Sequence, residues 1–262
     1  MAGASHIKKE LKIVGIIPAR YGSTRFPGKI LAPIAGKTLI ERTYHNARLS
    51  PLLQHLVVAT DDQRIYDHVQ SFGGEVVMTS TTCTTGTDRL VEAVKKDARF
   101  DEIDIIVNIQ GDEPCVDPQI TQQIIEALIN DPVAVMSTAV VQLTCLEEAR
   151  SPSIVKCVMD RYGNALYFSR ALIPAGHTQT MQSNVSYYRH IGIYAYRRDF
   201  LLQYAELPRT PLQNAEDLEQ LKILEHGFRI KTTVVNQTSI GVDTPEDIQK
   251  VEQWLCKQNS YL

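Results

Sequence analysis

The sequence predicts an α/β fold with a mostly parallel central sheet and helices on both faces. Runs rich in β-branched and apolar residues alternate along the chain with segments whose apolar residues recur at helical spacing. That alternation is typical of βαβ units. The run at 104–110 is apolar almost throughout, as in a strand buried on both faces. A length of 262 residues suits one such domain.

The predicted elements can be placed in order along the chain. The predicted strands are 12–18, 55–60, 75–79, 104–110, 133–141, 154–160, 165–169, 190–196 and 230–235. The predicted helices are 38–50, 62–72, 87–98, 118–130, 214–226 and 244–257. Between about 151 and 197, β runs follow one another and a polar connection interrupts them. We therefore predict a single domain over 1–262 with a smaller β-containing lobe inserted at about 151–197.

Composition argues against several classes of protein. A formal net charge of -3 and a pI near 6.2 provide no basic field for nucleic acid or an anionic membrane. No window reaches the roughly 18 apolar residues of a membrane-spanning helix, and the opening segment lacks the apolar stretch of a signal peptide. The five cysteines form no CxxC pair that would indicate a disulfide framework or a zinc site. We expect a soluble cytoplasmic protein.

The first predicted strand leads into a loop suited to phosphate, at the edge of the sheet where ligands bind in such folds. Its candidate ligands are Arg20, Ser23, Thr24, Arg25 and Lys29. Arginine forks and hydroxyls donate to phosphate oxygens, and glycines allow close backbone approach. The loop is not a Walker A motif, because five residues separate Gly22 from Gly28 and Ile30 follows the lysine. Taken alone, such a basic loop is as often a solvated turn.

Two aspartates follow other predicted strands. Asp112 comes directly after the 104–110 run, and Asp243 follows the 230–235 run just before a helix. Magnesium prefers one or two carboxylates together with phosphate oxygens and water, so the pair could hold Mg²⁺. Each has an ordinary alternative: Asp112 could simply make a turn, and Asp243 could cap the helix that begins at Pro245.

Seven motifs occur in order across nearly the whole chain. They are IPARYGSTRFPGK, TTGTDR, NIQGDEP, ALYFSRALIP, RHIGIYAYR, LEQLKILEHG and GVDTPED. The series resembles the CMP-Kdo synthetase family, where Kdo is 3-deoxy-manno-octulosonate. The first motif is shared loosely with other sugar nucleotidyltransferases, including CMP-sialic acid synthetases. The resemblance implies a Rossmann-like nucleotidyltransferase fold and transfer of CMP from CTP to Kdo for lipopolysaccharide synthesis. It also implies Mg²⁺ as the required ion and a homodimer with contacts through the inserted lobe.

The resemblance also implies roles for individual residues. Nucleotide-binding residues would be Pro18, Ala19, Arg20, Ser23, Thr24, Arg25, Lys29, Ser80, Gly86, Thr87 and Gln110. Catalysis would rest on Arg20, Arg25, Lys29, Asp112 and Asp243, with the two aspartates holding the metal. The sugar acid would contact Gln110, Arg170, His190, Tyr194, Glu219 and Gln220. Arg170 would pair with the sugar carboxylate while the others bind its hydroxyls.

Alternatives to these roles stay open at this point. His190 and Tyr194 lie in a predicted strand and could be core residues, and Glu219 and Gln220 could be solvated helix positions. The family usually has His and Ser where this chain has Cys83 and Thr85, which puts a base contact in doubt. Another acidic sugar such as sialic acid is a rival acceptor. A non-catalytic nucleotide-binding regulator would be expected to lack a metal carboxylate or a phosphate cation, and all of them are present.

Overall fold

A computed structural model describes residues 11–23, 26–176, 180–236 and 239–259. The strands are β1 (Ile13–Ala19), β2 (Pro33–Ile34), β3 (Lys37–Thr38), β4 (His55–Thr60), β5 (Glu75–Met78), β6 (Ile105–Asn108), β7 (Ala134–Leu143), β8 (Lys156–Met159), β9 (Ala165–Ser169), β10 (Tyr187–Arg197) and β11 (Arg229–Val235). The helices are α1 (Leu39–Ala47), α2 (Gln63–Ser71), α3 (Gly86–Lys96), α4 (Pro118–Asn130), α5 (Leu146–Arg150), α6 (Arg198–Glu206), α7 (Pro211–Glu216), α8 (Glu219–Glu225) and α9 (Pro245–Asn259). Every predicted strand is therefore present.

The central sheet is mostly parallel, as predicted. Its strand order is β11-β7-β10-β6-β1-β4-β5. β1 pairs in parallel with both β4 and β6, β4 with β5, and β7 with β11. Only β10 in this order runs the other way, antiparallel to β6 and β7. The carboxyl ends of the parallel strands therefore meet at one edge of the sheet, where ligands bind in open α/β folds.

Helices cover both faces of the sheet, which confirms the predicted layering. Neighbouring residues of β1 point to opposite faces, so Ile17 joins one apolar core and Ile16 the other. The first core packs against α1, α2, α4 and α9, and the second against α3, α6 and α8. The buried apolar runs that predicted the strands are thus the contact surface between three layers. Among the described helices, none is both long enough and apolar enough to cross a membrane.

The segment predicted as an inserted lobe divides into two parts. β8 and β9 form an antiparallel hairpin off the main strand order, and β8 pairs with β10 at Lys156 and Arg189. β10 itself lies in the middle of the central sheet. The hairpin matches the expectation of several β runs in succession. The role of the segment in substrate binding or dimer contacts stays a prediction.

The predicted helix over 214–226 is wrong, because two helices occupy that region. α7 begins at Pro211, which is suited to a first helical turn, and ends before Asp217. Asp217 has φ 53, a left-handed conformation that breaks the helix before α8 begins. Helix α6 was not predicted from the sequence; it starts directly where β10 ends and buries Phe200, Leu201 and Tyr204.

Candidate active site

A cavity of about 360 Å³ opens at the carboxyl edge of the sheet, where β1 and β6 end and α3 begins. Eight of the predicted site residues line it: Pro18, Arg20, Ser23, Lys29, Gly86, Gln110, Asp112 and Glu219. Ala19 is buried in β1 beside them. Thr24 and Arg25 lie outside the described residues. The strand exits singled out in the sequence therefore do converge on one site.

Lys29 joins the two predicted metal carboxylates. Its Nζ lies 2.5 Å from Oδ2 of Asp112 and 3.5 Å from Oδ1 of Asp243. The same ammonium donates to the carbonyl oxygen of Val242 at 3.0 Å. The Val242 backbone N–H donates to the Asp112 carbonyl oxygen at 2.8 Å, which ties the turn after β6 to the loop before α9. Residues 131 positions apart in sequence thus form one charged cluster.

A side chain beside Asp112 strengthens this link between the two loops. Glu113 accepts a short hydrogen bond from the Ser239 hydroxyl. Burial raises the pKa of the Glu113 carboxyl, and the nearby Asp112 carboxylate raises it further. Glu113 was not singled out from sequence, although it follows Asp112 in the NIQGDEP motif. Its contact holds the two aspartate-bearing loops together.

The donor set suits magnesium better than a metal that needs a full protein cage. Within the described ranges, no group of three or more His, Cys, Asp or Glu side chains converges to hold an ion. Asp112 and Asp243 supply two carboxylates, and Mg²⁺ commonly takes one or two carboxylates with the rest from phosphate and water. The residues fit the predicted ion, and its binding stays a prediction.

The N-terminus of α3 faces the cavity through Gly86. Thr85 caps this helix: its hydroxyl accepts from the Asp88 backbone N–H at 3.0 Å, and the Asp88 carboxylate accepts from the Thr85 N–H at 3.1 Å. A β-carbon added at Gly86 would lie 3.5 Å from the Pro18 ring. A helix N-terminus favours negative charge, so α3 suits a phosphate group in the cavity. The Thr85 replacement therefore retains a working hydroxyl.

Arg89 is a cavity residue to which the sequence analysis assigned no role. It lines the cavity with only 3% of its surface exposed. Its guanidinium donates to the Thr79 hydroxyl at 2.5 Å and to the Asp61 carboxylate at 2.8 Å. Thr79 and Asp61 follow β5 and β4, so Arg89 fixes α3 to two strand exits. Its only signal in the sequence was its place at the end of TTGTDR.

Cys83 is held as a neutral thiol. Its Sγ donates to Glu92 at 3.0 Å, and Glu92 also accepts from the Ser80 backbone N–H at 2.6 Å. Burial and this hydrogen bond raise the pKa of the Cys83 thiol to about 11. The thiol is thus protonated near neutral pH and is no nucleophile. Ser80 is not among the residues that line the cavity; its hydroxyl bonds that of Thr82 at 2.7 Å.

Glu219 and Gln110 are the two predicted sugar ligands that reach the cavity. The buried Thr87 hydroxyl donates to Glu219 Oε2 at 2.5 Å, which directs the carboxylate. Burial raises the pKa of Glu219, while the Thr87 hydrogen bond opposes that rise. Gln110 follows β6 and lies close to Gly192 of β10, where an added β-carbon would be 3.7 Å from its side-chain nitrogen. Thr87 thus does not line the cavity itself but positions Glu219, which does.

The other predicted sugar ligands do not line the cavity. His190 is 8% exposed, and its Nε2 lies 2.9 Å from the Thr138 hydroxyl. Burial lowers the pKa of His190 to about 3, so the imidazole is neutral near pH 7. Tyr194 packs its ring 5.5 Å from that of His190, and burial raises the pKa of its phenol. Gln220 is buried, with no partner for its amide nitrogen among the described residues.

Arg170 is engaged by backbone carbonyls next to the hairpin. Its Nε donates to the Glu216 carbonyl oxygen at 2.9 Å and its Nη1 to that of Pro152 at 3.1 Å. The Arg170 backbone N–H donates to the Glu216 carboxylate at 2.9 Å. The fully buried Lys156 ammonium donates to the Arg170 carbonyl oxygen at 2.5 Å. The predicted pairing of Arg170 with a sugar carboxylate stays a prediction.

Comparisons with known proteins identify the family of the chain. The profile of the cytidylyltransferase family matches residues 14–232. A 3-deoxy-manno-octulosonate cytidylyltransferase of Protochlamydia amoebophila is 58% identical over 98% of this chain and 99% of the relative. One of Chlamydia pneumoniae is 48% identical over 97% of this chain and 98% of the relative. A solved structure of CMP:2-keto-3-deoxy-manno-octonic acid synthetase complexed with CTP is 40% identical, with TM-score 0.88 over 94% of this chain and 99% of that one.

Proposed function

The chain belongs to the cytidylyltransferase family, and we propose on that premise that its cavity binds CTP and presents it to Kdo. The protein is an enzyme that transfers CMP from CTP to Kdo, giving CMP-Kdo and pyrophosphate. One observation carries the assignment to this site. Lys29, Asp112 and the N-terminus of α3 converge on a single cavity at the ligand edge of the sheet.

The cations of the β1 loop bind the triphosphate. Arg20 is exposed at the cavity and offers a planar fork to phosphate oxygens, and Lys29 adds a compact positive charge. The Ser23 hydroxyl and the backbone amides at Gly86 supply neutral donors. Thr24 and Arg25 belong to the same sequence motif, and we propose the same role for them. A protein with a net charge of -3 thus concentrates positive charge where the nucleotide needs it.

The reaction is an in-line displacement at the α-phosphorus. The anomeric hydroxyl of the sugar acid forms the new P–O bond, the bond to the bridging oxygen breaks, and pyrophosphate leaves with that oxygen. The hydroxyl proton passes to solvent, and no covalent enzyme intermediate is required. Catalysis of such transfers depends mainly on positioning and on stabilising charge. Arg20 and Lys29 would meet the charge that develops on the departing phosphates.

We propose that Asp112 and Asp243 hold Mg²⁺ at this site. When bound, the ion neutralises triphosphate oxygens and orients them for displacement. The protein's own contribution is to keep the two carboxylates at a fixed separation. The Val242–Asp112 backbone hydrogen bond and the Glu113–Ser239 contact support this role, because both fasten the loops that carry the aspartates.

For the acceptor, we propose that Gln110 and Glu219 contact the sugar acid directly. Both line the cavity, and the Thr87 hydrogen bond directs the Glu219 carboxylate. His190 and Gln220 are buried and Tyr194 packs against His190, and we propose that these residues shape the pocket without lining it. Arg170 would serve the sugar carboxylate through guanidinium protons left after its carbonyl contacts. Hydroxyl-binding groups of this kind give strong selection between acceptors.

We further propose a cytoplasmic homodimer that takes part in lipopolysaccharide synthesis and needs neither nucleic acid nor a membrane. Three large apolar side chains near the β8–β9 hairpin support a protein contact there: Tyr162 is 72% exposed, Leu166 60% and Val234 52%. Exposed apolar side chains that form one patch commonly mark an interface, and we propose that these three do so. A second chain packed on the hairpin would cover them.

The proposed function is tested by identifying the product. Phosphorus NMR of CTP, Kdo and Mg²⁺ with the enzyme should show the α-phosphate signal replaced by one phosphodiester signal, together with pyrophosphate. UTP and ATP serve as matched donor controls in the same buffer. Equal consumption of UTP would contradict the assignment of CTP as donor. Free CMP in place of a phosphodiester would contradict transfer to the sugar.

A further inference from the structure

Lys29 occupies the position from which one cation can meet both predicted metal carboxylates. Its ammonium contacts Asp112 at 2.5 Å, Asp243 at 3.5 Å and the Val242 carbonyl oxygen at 3.0 Å. The Lys29 side chain is 12% exposed, whereas those of Asp112 and Asp243 are 30% and 51% exposed. The lysine is thus the most enclosed member of the cluster, surrounded by oxygen atoms of the kind that bind a hard cation.

The same lysine is also one of the proposed ligands of the nucleotide phosphates. Lys29 lines the cavity together with Arg20 and Ser23, the other described residues of the loop for which we propose phosphate binding. An ammonium cannot both remain on the two aspartates and neutralise a triphosphate. Two carboxylates alone give a divalent ion few protein ligands, and within the described ranges no third acidic, His or Cys side chain completes the group. The ion's remaining ligands must come from water and phosphate.

We propose that Lys29 is a built-in counter-ion that excludes the metal until nucleotide arrives. Without nucleotide, its ammonium pairs with Asp112 and Asp243 and blocks a divalent ion. Binding of the triphosphate draws the ammonium away, so that Asp112 and Asp243 can hold the divalent ion together with the nucleotide phosphates. The inference rests on the proposed function and adds a binding order to it.

The local backbone allows this exchange without rearrangement of the loop. Lys29 begins a short 3₁₀ turn, Lys29–Leu31, and its backbone N–H donates to the Phe26 carbonyl oxygen at 3.1 Å. Gly28, with φ 72, donates to the Tyr21 carbonyl oxygen at 3.1 Å. The backbone at the base of the side chain is therefore anchored, and only the flexible four-carbon stem has to turn. Competition of this type is reciprocal, so the metal and the ammonium weaken each other.

Titration of the nucleotide-free protein with Mn²⁺, followed by the EPR signal of the free ion, tests the proposal without any turnover. Lys29→Met removes the ammonium but keeps an unbranched side chain, and it should tighten Mn²⁺ binding about 5- to 150-fold over wild type. Lys29→Arg keeps the positive charge and should bind as weakly as wild type. Lys95→Met is the matched control, since it breaks an exposed lysine–glutamate pair, 3.3 Å long, between the last turn of α3 and the end of α6. The double variant Lys29→Met, Asp112→Asn should lose the gain.

Equal Mn²⁺ affinity of wild type and Lys29→Met would overturn the proposal. A gain that survives Asp112→Asn would overturn it as well, because the ion would then sit elsewhere. If circular dichroism shows that Lys29→Met is unfolded, Lys29→Gln decides by the same comparison. Failure of the proposed function is a separate result, because it appears as absent CMP transfer by the wild-type enzyme whatever the Mn²⁺ titrations show.

Discussion

The cavity at the end of β1 and the packed region around β10 use their polar side chains in different ways. In the cavity, Arg20, Lys29 and Asp112 come from loops that follow strands and have open space in front of them. Around β10, His190 bonds a buried hydroxyl and Arg170 bonds backbone carbonyls. Motifs of equal prominence in the sequence thus supply two kinds of residue. The cavity residues place charge at a ligand surface, whereas His190 and Arg170 bond groups of the fold itself.

A bulge in β10 explains part of this difference. The pairing of β10 with β7 shifts register between Ile191 and Tyr194, which frees backbone carbonyls inside the sheet. The Thr138 hydroxyl lies within hydrogen-bond distance of two of them, 3.1 Å from the Ile191 oxygen and 2.8 Å from the Ile193 oxygen, and its single proton can serve one at a time. His190 bonds the same hydroxyl. The polar residues of this region therefore hold an irregular strand in place.

The largest expected effect is the loss of a carboxylate from the proposed metal site. Asp112→Asn or Asp243→Asn keeps the side-chain volume but removes a charge, and kcat should fall about 10³-fold at every magnesium concentration. Steady-state pyrophosphate release measures it. Asp101→Asn, an exposed aspartate that pairs with Arg198, is the control and should leave kcat unchanged. Normal turnover of either variant would remove that residue from the proposed metal site.

The next effect tests whether the packed region also touches substrate. Arg170→Ala should raise KM for Kdo about 10- to 100-fold, the usual cost of a lost charged hydrogen bond, with KM for CTP within about twofold. Arg161→Ala, an exposed arginine in the turn of the same hairpin, should change neither constant. An equal rise in both KM values would show that Arg170 acts only through its carbonyl contacts. Arg170 would then belong, like His190, to the residues that hold the fold.

A smaller effect on stability should distinguish His190 as a packed residue. Its pKa is about 3 in the folded protein and about 6.5 when unfolded, so below about pH 6.5 the unfolded state binds more protons. Folding stability should therefore fall with decreasing pH by up to about 1.4 kcal/mol per pH unit from this group. His190→Phe should therefore reduce the change in the free energy of unfolding with pH between about pH 7 and pH 5. Urea unfolding at each pH measures this free energy. His55→Gln, at an exposed position, is the control.

An unchanged pH slope in His190→Phe would contradict neutral burial of the imidazole. The variant is suitable because the Thr138 hydroxyl keeps its two carbonyl contacts when the ring nitrogen is lost. A phenyl ring also retains the contact with Phe168, whose ring centre is 4.9 Å from that of His190. Wild type and variant are compared under identical conditions, so other titrating groups cancel.

The smallest expected effect is at Cys83, which lines the cavity but carries no charge near neutral pH. Cys83→Ser keeps a donor to Glu92, so kcat and KM for CTP should stay within about twofold of wild type. The kinetic constants at saturating Kdo check this. A loss of tenfold or more would show that the thiol contacts the nucleotide directly.

Most of the fold could be predicted because strands and helices have local signals. Every predicted strand is present, since apolar runs and their turns mark them independently of what they pair with. The break between α7 and α8 could not be predicted, because it depends on a left-handed aspartate at 217, a residue type that also occurs within helices. α6 was missed because it continues without a turn from the end of β10.

The residues of the candidate site also differ in whether the sequence alone could reveal them. Arg20, Lys29 and Asp112 could be found because a strand exit is visible in sequence and ligands bind there. Arg89 could not, since its role depends on Asp61 and Thr79, which follow separate strands and meet it only in the folded protein. The contacts of Arg170 and His190 are likewise tertiary. Local pattern identifies groups that reach solvent better than groups that hold the fold.

Pyrophosphate release with CTP and magnesium tests the central claim most directly, with Kdo, N-acetylneuraminate and no acceptor measured in parallel and EDTA as the control. The account predicts release with Kdo alone and its loss with EDTA. Preference for N-acetylneuraminate would keep the reaction but contradict the acceptor. No release despite measurable CTP binding would contradict catalysis itself and favour a nucleotide-binding regulator.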